Sequence, residues 1–108
     1  MKILDKYRKA VDEFVERVLD KYSDRIDSII LFGSVARGEA KEESDIDILV
    51  VTKVEDFRLR RTLIGIAFDI LLQTGENISV KALSKDEFER HKNFSFLSSV
   101  ISEGVKVA

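Results

Sequence analysis

The chain has 108 residues, of which 44% are hydrophobic and 35% charged, and its formal net charge is −2 at pH 7. A chain of this length supports a single hydrophobic core, so we expect one domain spanning residues 1–108. The slightly acidic balance argues against a protein that coats nucleic acid, and the lack of cysteine excludes disulfides, thiolate catalysis and zinc–cysteine sites.

The first segment has apolar residues at intervals of three and four, with charges between them, which predicts an amphipathic helix over residues 3–22. Residues 27–32 predict a strand that is buried on both faces, because its last four residues are all apolar. No apolar run is long enough to cross a membrane, and the N-terminus does not resemble a signal peptide, so we expect a cytoplasmic protein.

A second strand is predicted over residues 46–51, after a short helical turn at 34–37 and a polar loop at 39–44. Thr52 and Glu55 fit a capping box that opens a long helix ending at Thr74, with Gly75 as its left-handed cap. The apolar line of this helix is expected to pass through the following residues: Phe57, Ile64, Ala67 and Leu71. Gly65, which costs about 1 kcal/mol relative to alanine, is interpreted as a close approach by a neighbouring element.

The last third of the chain predicts a strand over residues 78–83 and a capping box from Ser84 to Glu87. The box opens a short helix that ends near His91. A final helix is predicted over residues 94–103, and residues 105–107 are expected to form a short extended tail. The fold class is therefore α/β (α+β), with a small mixed β-sheet of three to four strands flanked by helices.

The turn between the first two strands carries most of the functional signal. Asp45 and Asp47 are two residues apart and would lie on one side of a strand, about 6–7 Å from each other. Such like charges repel unless a cation lies between them, and Mg²⁺ held by carboxylates and substrate phosphates is the usual solution. Gly33 lets the backbone approach a phosphate closely, and Ser34 adds a hydroxyl donor.

These residues resemble a known signature. The stretch Phe32-Gly33-Ser34-Val35-Ala36-Arg37-Gly38, followed by Ser44-Asp45-Ile46-Asp47-Ile48-Leu49-Val50, is similar to the minimal nucleotidyltransferases of the DNA polymerase β type. About twenty residues match closely, and the order of elements agrees over most of the chain. The resemblance implies the polymerase β-type nucleotidyltransferase fold and a bound nucleotide–magnesium complex.

The roles that the resemblance implies fall on six residues. Gly33 and Ser34 would hold the β- and γ-phosphates, while Asp45 and Asp47 would be the catalytic residues and the metal ligands. Arg37 and Ser44 are further candidates for nucleotide binding. Arg37 is more often a residue that tethers a loop, and Ser44 is equally well explained as a turn cap.

One departure from the family pattern concerns the third strand. Active members carry a third carboxylate there, whereas residues 78–83 contain no acid, and Ser79 is the residue expected opposite the pair. Glu76 is a weaker candidate to replace that carboxylate. The loss is expected to impair chemistry more than nucleotide binding.

The leading hypothesis is transfer of a nucleoside monophosphate from ATP, or another triphosphate, to a hydroxyl on a partner. The resemblance implies the antitoxin of a toxin–antitoxin pair whose partner is a helical HEPN-type protein. The alternative is a catalytically impaired module that binds nucleotide or masks a partner. A third hypothesis, nucleic-acid binding through the patch Arg58–Arg61, is the weakest, because the net charge of the chain is −2. A solvated helix face is the favoured explanation of the basic cluster Lys53, Arg58, Arg60 and Arg61. A homo-oligomer is left open.

Overall fold

The computed structural model describes residues 5–41 and 43–108. The helices are α1 (Asp5–Tyr22), α2 (Gly33–Ala36), α3 (Phe57–Thr74), α4 (Lys85–His91) and α5 (Ser95–Glu103), with a 3₁₀ turn at Ser23–Arg25. The strands are β1 (Ile26–Phe32), β2 (Ile46–Thr52), β3 (Ile78–Ser84) and β4 (Val105–Lys106). The predicted start of the first helix at Ile3 and Leu4 lies outside the described residues.

The four strands form one mixed sheet in the order β3-β2-β1-β4. β1 is antiparallel to both β2 and β4, and β2 is parallel to β3. The parallel pair requires a crossover connection, which α3 supplies. This architecture confirms the predicted mixed sheet flanked by helices.

The two faces of the sheet bury different sets of side chains, because successive residues of a strand point to opposite sides. Ile46, Ile48 and Val50 join the main core with α1 and α3, while Leu49 and Val51 join a smaller cluster with α5. Since Asp47 alternates with Ile46 and Ile48, it lies on the face of the smaller cluster. No helix among the described residues is both long and apolar enough to span a bilayer.

The start of α3 differs from the predicted capping box. Thr52 is the last residue of β2, paired with Ile26 on one side and Ser84 on the other, so it cannot cap a helix. Asp56 is the cap instead, and its carboxylate accepts a hydrogen bond from the Leu59 N–H at 3.0 Å. By contrast, the Ser84 capping box and the left-handed Gly75 cap are confirmed.

The buried line of α3 also differs from the prediction. The buried residues are Leu59, Leu63, Ala67 and Ile70. Phe57 and Ile64, which were expected to face the core, are exposed instead. A second correction concerns Gly65: apart from its chain neighbours and the backbone of its own helix, no atom of the described residues lies within 4 Å of the position that a Cβ would take, so no other described element approaches it. The basic cluster is exposed, as a solvated helix face requires.

Candidate functional site

The bend after β1 brings the backbone of Gly33 against Asp47. Gly33 has a φ of +75°, in the left-handed region that favours glycine. A Cβ built on Gly33 would lie 2.2 Å from Asp47 Oδ2, so only a glycine leaves room for this carboxylate. The two parts of the sequence motif therefore converge at one point of the fold.

Ser34 follows Gly33 in the first turn of α2. The turn is closed by hydrogen bonds from Arg37 N to Gly33 O at 3.1 Å and from Glu39 N to Ser34 O at 2.9 Å. The first N–H groups of a helical turn have no acceptor within it, and they are suited to an anion. Ser34 thus stands where a phosphate beside Asp47 would meet both N–H groups and a hydroxyl.

The two carboxylates are held differently. Asp47 is the second residue of β2 and is partly buried, whereas Asp45 is exposed and precedes the strand instead of lying within it. Asn77 fixes this end of β2 twice: its Nδ2 donates to Asp45 Oδ1 at 3.0 Å, and its carbonyl oxygen accepts from Ile46 N at 2.9 Å. Asn77 is a residue that the sequence reasoning missed, because only the β2–β3 pairing brings it there.

Burial raises the pKa of Asp47 above its ordinary value, and the negative charge of Asp45 raises it further. The positive charges of Lys81 and Arg37 oppose this rise in pKa. A cation between the carboxylates would relieve the same unfavourable charge, so this pair of donors fits Mg²⁺, which proteins commonly bind through one or two carboxylates and substrate phosphates.

At the position where active family members carry a third carboxylate, this chain has the hydroxyl of Ser79. Ser79 pairs directly with Asp47 in the parallel register of β2 and β3, which confirms its predicted place opposite the carboxylates. Within residues 5–41 and 43–108 no group of three acidic or other ligating side chains is positioned to hold a metal, so Glu76 does not replace the missing acid.

Lys81 is a second residue that the sequence reasoning missed. It pairs with Leu49, two residues beyond the Asp47–Ser79 pair, and so its side chain lies on the same face of the sheet. Its Nζ lies 6.0 Å from the centre of the Phe96 ring. Alternation along β3 would have identified this lysine once the register with β2 was known.

Lys81 also lines a cavity of about 430 Å³ on this face, further along β2 and β3 than Asp47. Its walls combine apolar, aromatic and charged groups, among them Leu49, Arg60, His91, Phe94 and Phe96. The Nδ1 of His91 is buried and has no hydrogen-bond partner among the described residues. A cavity of this size accommodates one aromatic side chain or a nucleoside.

The two remaining candidates, Arg37 and Ser44, form contacts that hold the loops around the site. Arg37 forms ion pairs with Glu39 at 3.1 Å and with Glu103 at 3.2 Å, which tie the end of α2 to α5. The Ser44 hydroxyl accepts a hydrogen bond from Lys41 N at 2.7 Å, as a turn cap does. The carbonyl of Lys41 in turn accepts a hydrogen bond from the Tyr7 hydroxyl, which anchors the loop before Asp45 to α1.

Residues 11–107 match the family model described as the nucleotidyltransferase domain. The protein belongs to this nucleotidyltransferase family, which confirms the polymerase β-type resemblance. Over 96 residues it is 45% identical to "Putative protein adenylyltransferase MJ0604" of Methanocaldococcus jannaschii, a match that covers 89% of this chain and 92% of the relative.

Two solved structures share the fold. One, described as a "putative minimal nucleotidyltransferase", superposes with a TM-score of 0.62 at 24% identity and covers 96% of this chain and 95% of its own. The other, a toxin–antitoxin structure solved with AMP-PNP, gives a TM-score of 0.61 at 21% identity and covers 97% and 73%.

Proposed function

We propose that the protein transfers a nucleoside monophosphate from a nucleoside triphosphate, with ATP as the leading candidate, to a hydroxyl on a partner protein. The observation that carries the proposal is the contact between the Asp47 carboxylate and the backbone of Gly33. It joins a carboxylate pair suited to Mg²⁺ with a bend suited to phosphate. The adenylyltransferase description of a relative with 45% identity supports ATP as the donor.

The residues of the motif have different proposed roles. The N–H groups of the bend and the Ser34 hydroxyl hold the β- and γ-phosphates, and Asp45 and Asp47 would be the ligands of a Mg²⁺ ion. When bound, that ion neutralises charge on the phosphates and lowers the barrier to displacement. Asn77 keeps Asp45 from turning away, and Gly33 keeps the phosphates close to Asp47.

The direction of attack follows from in-line displacement. The acceptor oxygen forms its bond to the α-phosphorus as the bond from phosphorus to the pyrophosphate oxygen breaks, and the acceptor proton passes to solvent. Because pyrophosphate leaves toward Gly33, on the β1 side of Asp47, the acceptor approaches from the β3 side. Lys81 and its cavity lie on that side, and we assign them to the acceptor.

We propose that a second protein presents the acceptor hydroxyl. A helical HEPN-type protein encoded beside this one, paired with it as toxin and antitoxin, is the partner we propose. The toxin–antitoxin structure that shares this fold supports this choice. The cytoplasm is the proposed location, because ATP and such a partner are available there.

A second candidate function is favoured by one observation, the hydroxyl of Ser79 at the position of the third carboxylate. A module that binds nucleotide and masks its partner without modifying it needs the bend and the aspartate pair but not the third acid. The two functions share the same nucleotide site and differ only in turnover.

The test combines binding and transfer. Calorimetry with ATP and Mg²⁺ is expected to show binding that Asp47→Asn abolishes. Asp12→Asn, which removes an exposed carboxylate of α1, is expected to leave binding unchanged. Labelled ATP is then mixed with the protein and the co-encoded helical protein. Transfer of label to the helical protein supports the enzyme, binding without transfer supports the masking module, and a lack of binding contradicts both.

A further inference from the structure

The outward side of α3 exposes four large apolar side chains. Their exposed fractions are 65% for Phe57, 49% for Ile64, 56% for Phe68 and 69% for Leu72. They recur at helical spacing opposite the residues that face the core, and so they form one stripe, with Arg61 between Phe57 and Ile64. A contiguous apolar stripe on a helix of a small domain marks an interaction surface. We call these four residues, with Arg61 and Gly65, the α3 face.

Gly65 lies within this stripe. It is exposed, and the space around its missing side chain is open within the described part of the chain. A glycine in a helix interior is less favourable than alanine, and a contact made by another backbone or side chain in the space that it leaves can offset this cost. Since no other element among residues 5–41 and 43–108 makes such a contact, the space is open to a different molecule.

The α3 face is complementary to itself. If two copies of α3 lie antiparallel about a two-fold axis midway between positions 64 and 65, Ile64 of one copy meets the open space at Gly65 of the other. The same axis pairs Phe57 with Leu72 and Arg61 with Phe68. The α3 face of one copy thus contacts the α3 face of the other in reverse order, as in an isologous interface.

The charges beside the stripe follow the same symmetry. Arg61 and Asp69 are both exposed, and neither forms an ion pair among residues 5–41 and 43–108. They are eight positions apart, about 12 Å along the helix, so they cannot meet within one copy. In the antiparallel arrangement position 69 of one copy lies opposite position 60 of the other, so Asp69 falls beside Arg60 and Arg61 of the second copy.

We infer that the α3 face is the interface of a homodimer, with a second copy of this chain as its occupant. The apolar stripe supplies the contact area, Gly65 receives Ile64, and two symmetric Arg61–Asp69 pairs fix the antiparallel direction. Because α3 packs on the sheet face opposite Asp47, the bend at Gly33 and the aspartate pair stay open in the dimer. Phe57 also lines the cavity beside Lys81, so the interface borders one edge of that cavity. The inference does not depend on the proposed activity.

The first experiment measures the mass of the purified chain by sedimentation equilibrium over an approximately 100-fold range of concentration. A concentration-dependent dimer is expected, and Phe68→Lys is expected to raise its dissociation constant about 100-fold, as loss of a central aromatic contact does. Circular dichroism checks that this surface substitution leaves the monomer folded. A chain that stays monomeric throughout, or a dimer that Phe68→Lys does not weaken, overturns the inference.

The second experiment exchanges charges. Arg61→Asp places two like-charged pairs in the interface and is expected to weaken the dimer about tenfold, while Arg61→Asp combined with Asp69→Arg restores it. Lys9→Asp, an equal change of charge on the exposed side of α1, leaves the dissociation constant unchanged. Failure of the double exchange to restore the dimer overturns the antiparallel pairing.

Gly65→Leu separates the interface from the stability of the helix. Leucine favours the helix and is expected to raise the melting temperature of the monomer, while its side chain fills the space that Ile64 of the second copy uses and weakens the dimer. A melting temperature and a dimer affinity that rise together contradict the inference. If the chain alone is monomeric and a helical partner protein protects α3 from hydrogen exchange, the occupant is that partner and the homodimer is refuted.

Discussion

Replacing Ser79 by aspartate tests how the missing acid shapes the site. Ser79 is paired with Asp47 on the neighbouring strand, and adjacent strands lie about 4.8 Å apart. The new carboxylate would therefore stand about 5 Å from that of Asp47. Two such charges repel by roughly 3 kcal/mol at an effective dielectric constant of 20, and by less than about 1 kcal/mol in water.

Asp47 is partly buried, so we expect the free energy of unfolding of the metal-free protein to fall by about 1–2 kcal/mol in Ser79→Asp. This loss corresponds to a decrease of at least about 4 °C in melting temperature for a domain of this size. Added Mg²⁺ is expected to reverse the loss, because three carboxylates bind the ion more tightly than two.

The assay is thermal unfolding with a chelator and then with Mg²⁺, followed by transfer of labelled nucleotide to the partner. Ser79→Asn is the matched control, since it has nearly the shape of aspartate without the charge. We expect Ser79→Asp to raise the transfer rate about 100-fold, the contribution typical of a positioned acid–base group. Equal melting temperatures for the two variants without metal would refute the placement of residue 79 beside Asp47.

Three further substitutions test the same geometry. Gly33→Ala forces a Cβ onto the Asp47 carboxylate and an unfavourable backbone, which should cost about 1–2 kcal/mol or more and abolish ATP binding by calorimetry; unchanged affinity would disprove the contact. Asp47→Asn removes a charge that burial disfavours, so without metal we expect higher stability at neutral pH. Because the folded pKa is raised, that gain should fade in denaturant titrations as the pH falls below this pKa, and a constant gain would argue against it. Tyr7→Phe loses the hydrogen bond to the Lys41 carbonyl, with an expected cost of about 1–2 kcal/mol in urea unfolding, and an unaltered midpoint would contradict this role.

The parts of the fold that depend on neighbouring residues could be predicted from the sequence. The Ser84 capping box and the Gly75 cap are local features, in which the residue type itself selects the backbone conformation. The strands were predicted because their apolar runs are short and bounded by turns. In the same way, the position of Ser79 opposite Asp47 followed from the order of the elements and from the family resemblance.

The start and the orientation of α3 could not be predicted in this way. Thr52 and Asp56 both offer a capping oxygen, and only the pairing of Thr52 with both neighbouring strands decides between them. The helix carries apolar residues on both its inner and outer sides, and periodicity alone does not say which side meets the sheet. The expectation that Phe57 and Ile64 face the core failed for this reason.

The candidate site likewise combines local features that the sequence predicts with tertiary contacts that it does not predict. The motif placed a bend and two acids close in sequence, but the contact of Gly33 with Asp47 is a tertiary feature that requires β1 and β2 to be antiparallel. Lys81 and the cavity depend on the parallel β2–β3 register and on the return of α4 and α5 to the sheet. These contacts join residues distant in sequence, so no local sequence pattern predicts them.

The formal charge of the candidate site has different consequences for nucleotide binding and for catalysis. Asp45, Asp47 and Lys81 together carry a formal charge of −1, whereas an acid at position 79 would make it −2. A formal charge of −1 suits one divalent ion and its triphosphate. The site, however, lacks the third carboxylate that would prepare the acceptor hydroxyl. In the proposed acceptor site, Lys81 would stabilise a developing oxyanion, since a positive charge in a partly buried cavity lowers the pKa of a nearby hydroxyl. Lys81→Met should therefore reduce the transfer rate while leaving ATP affinity nearly unchanged, and a parallel loss of both would place Lys81 with the nucleotide instead.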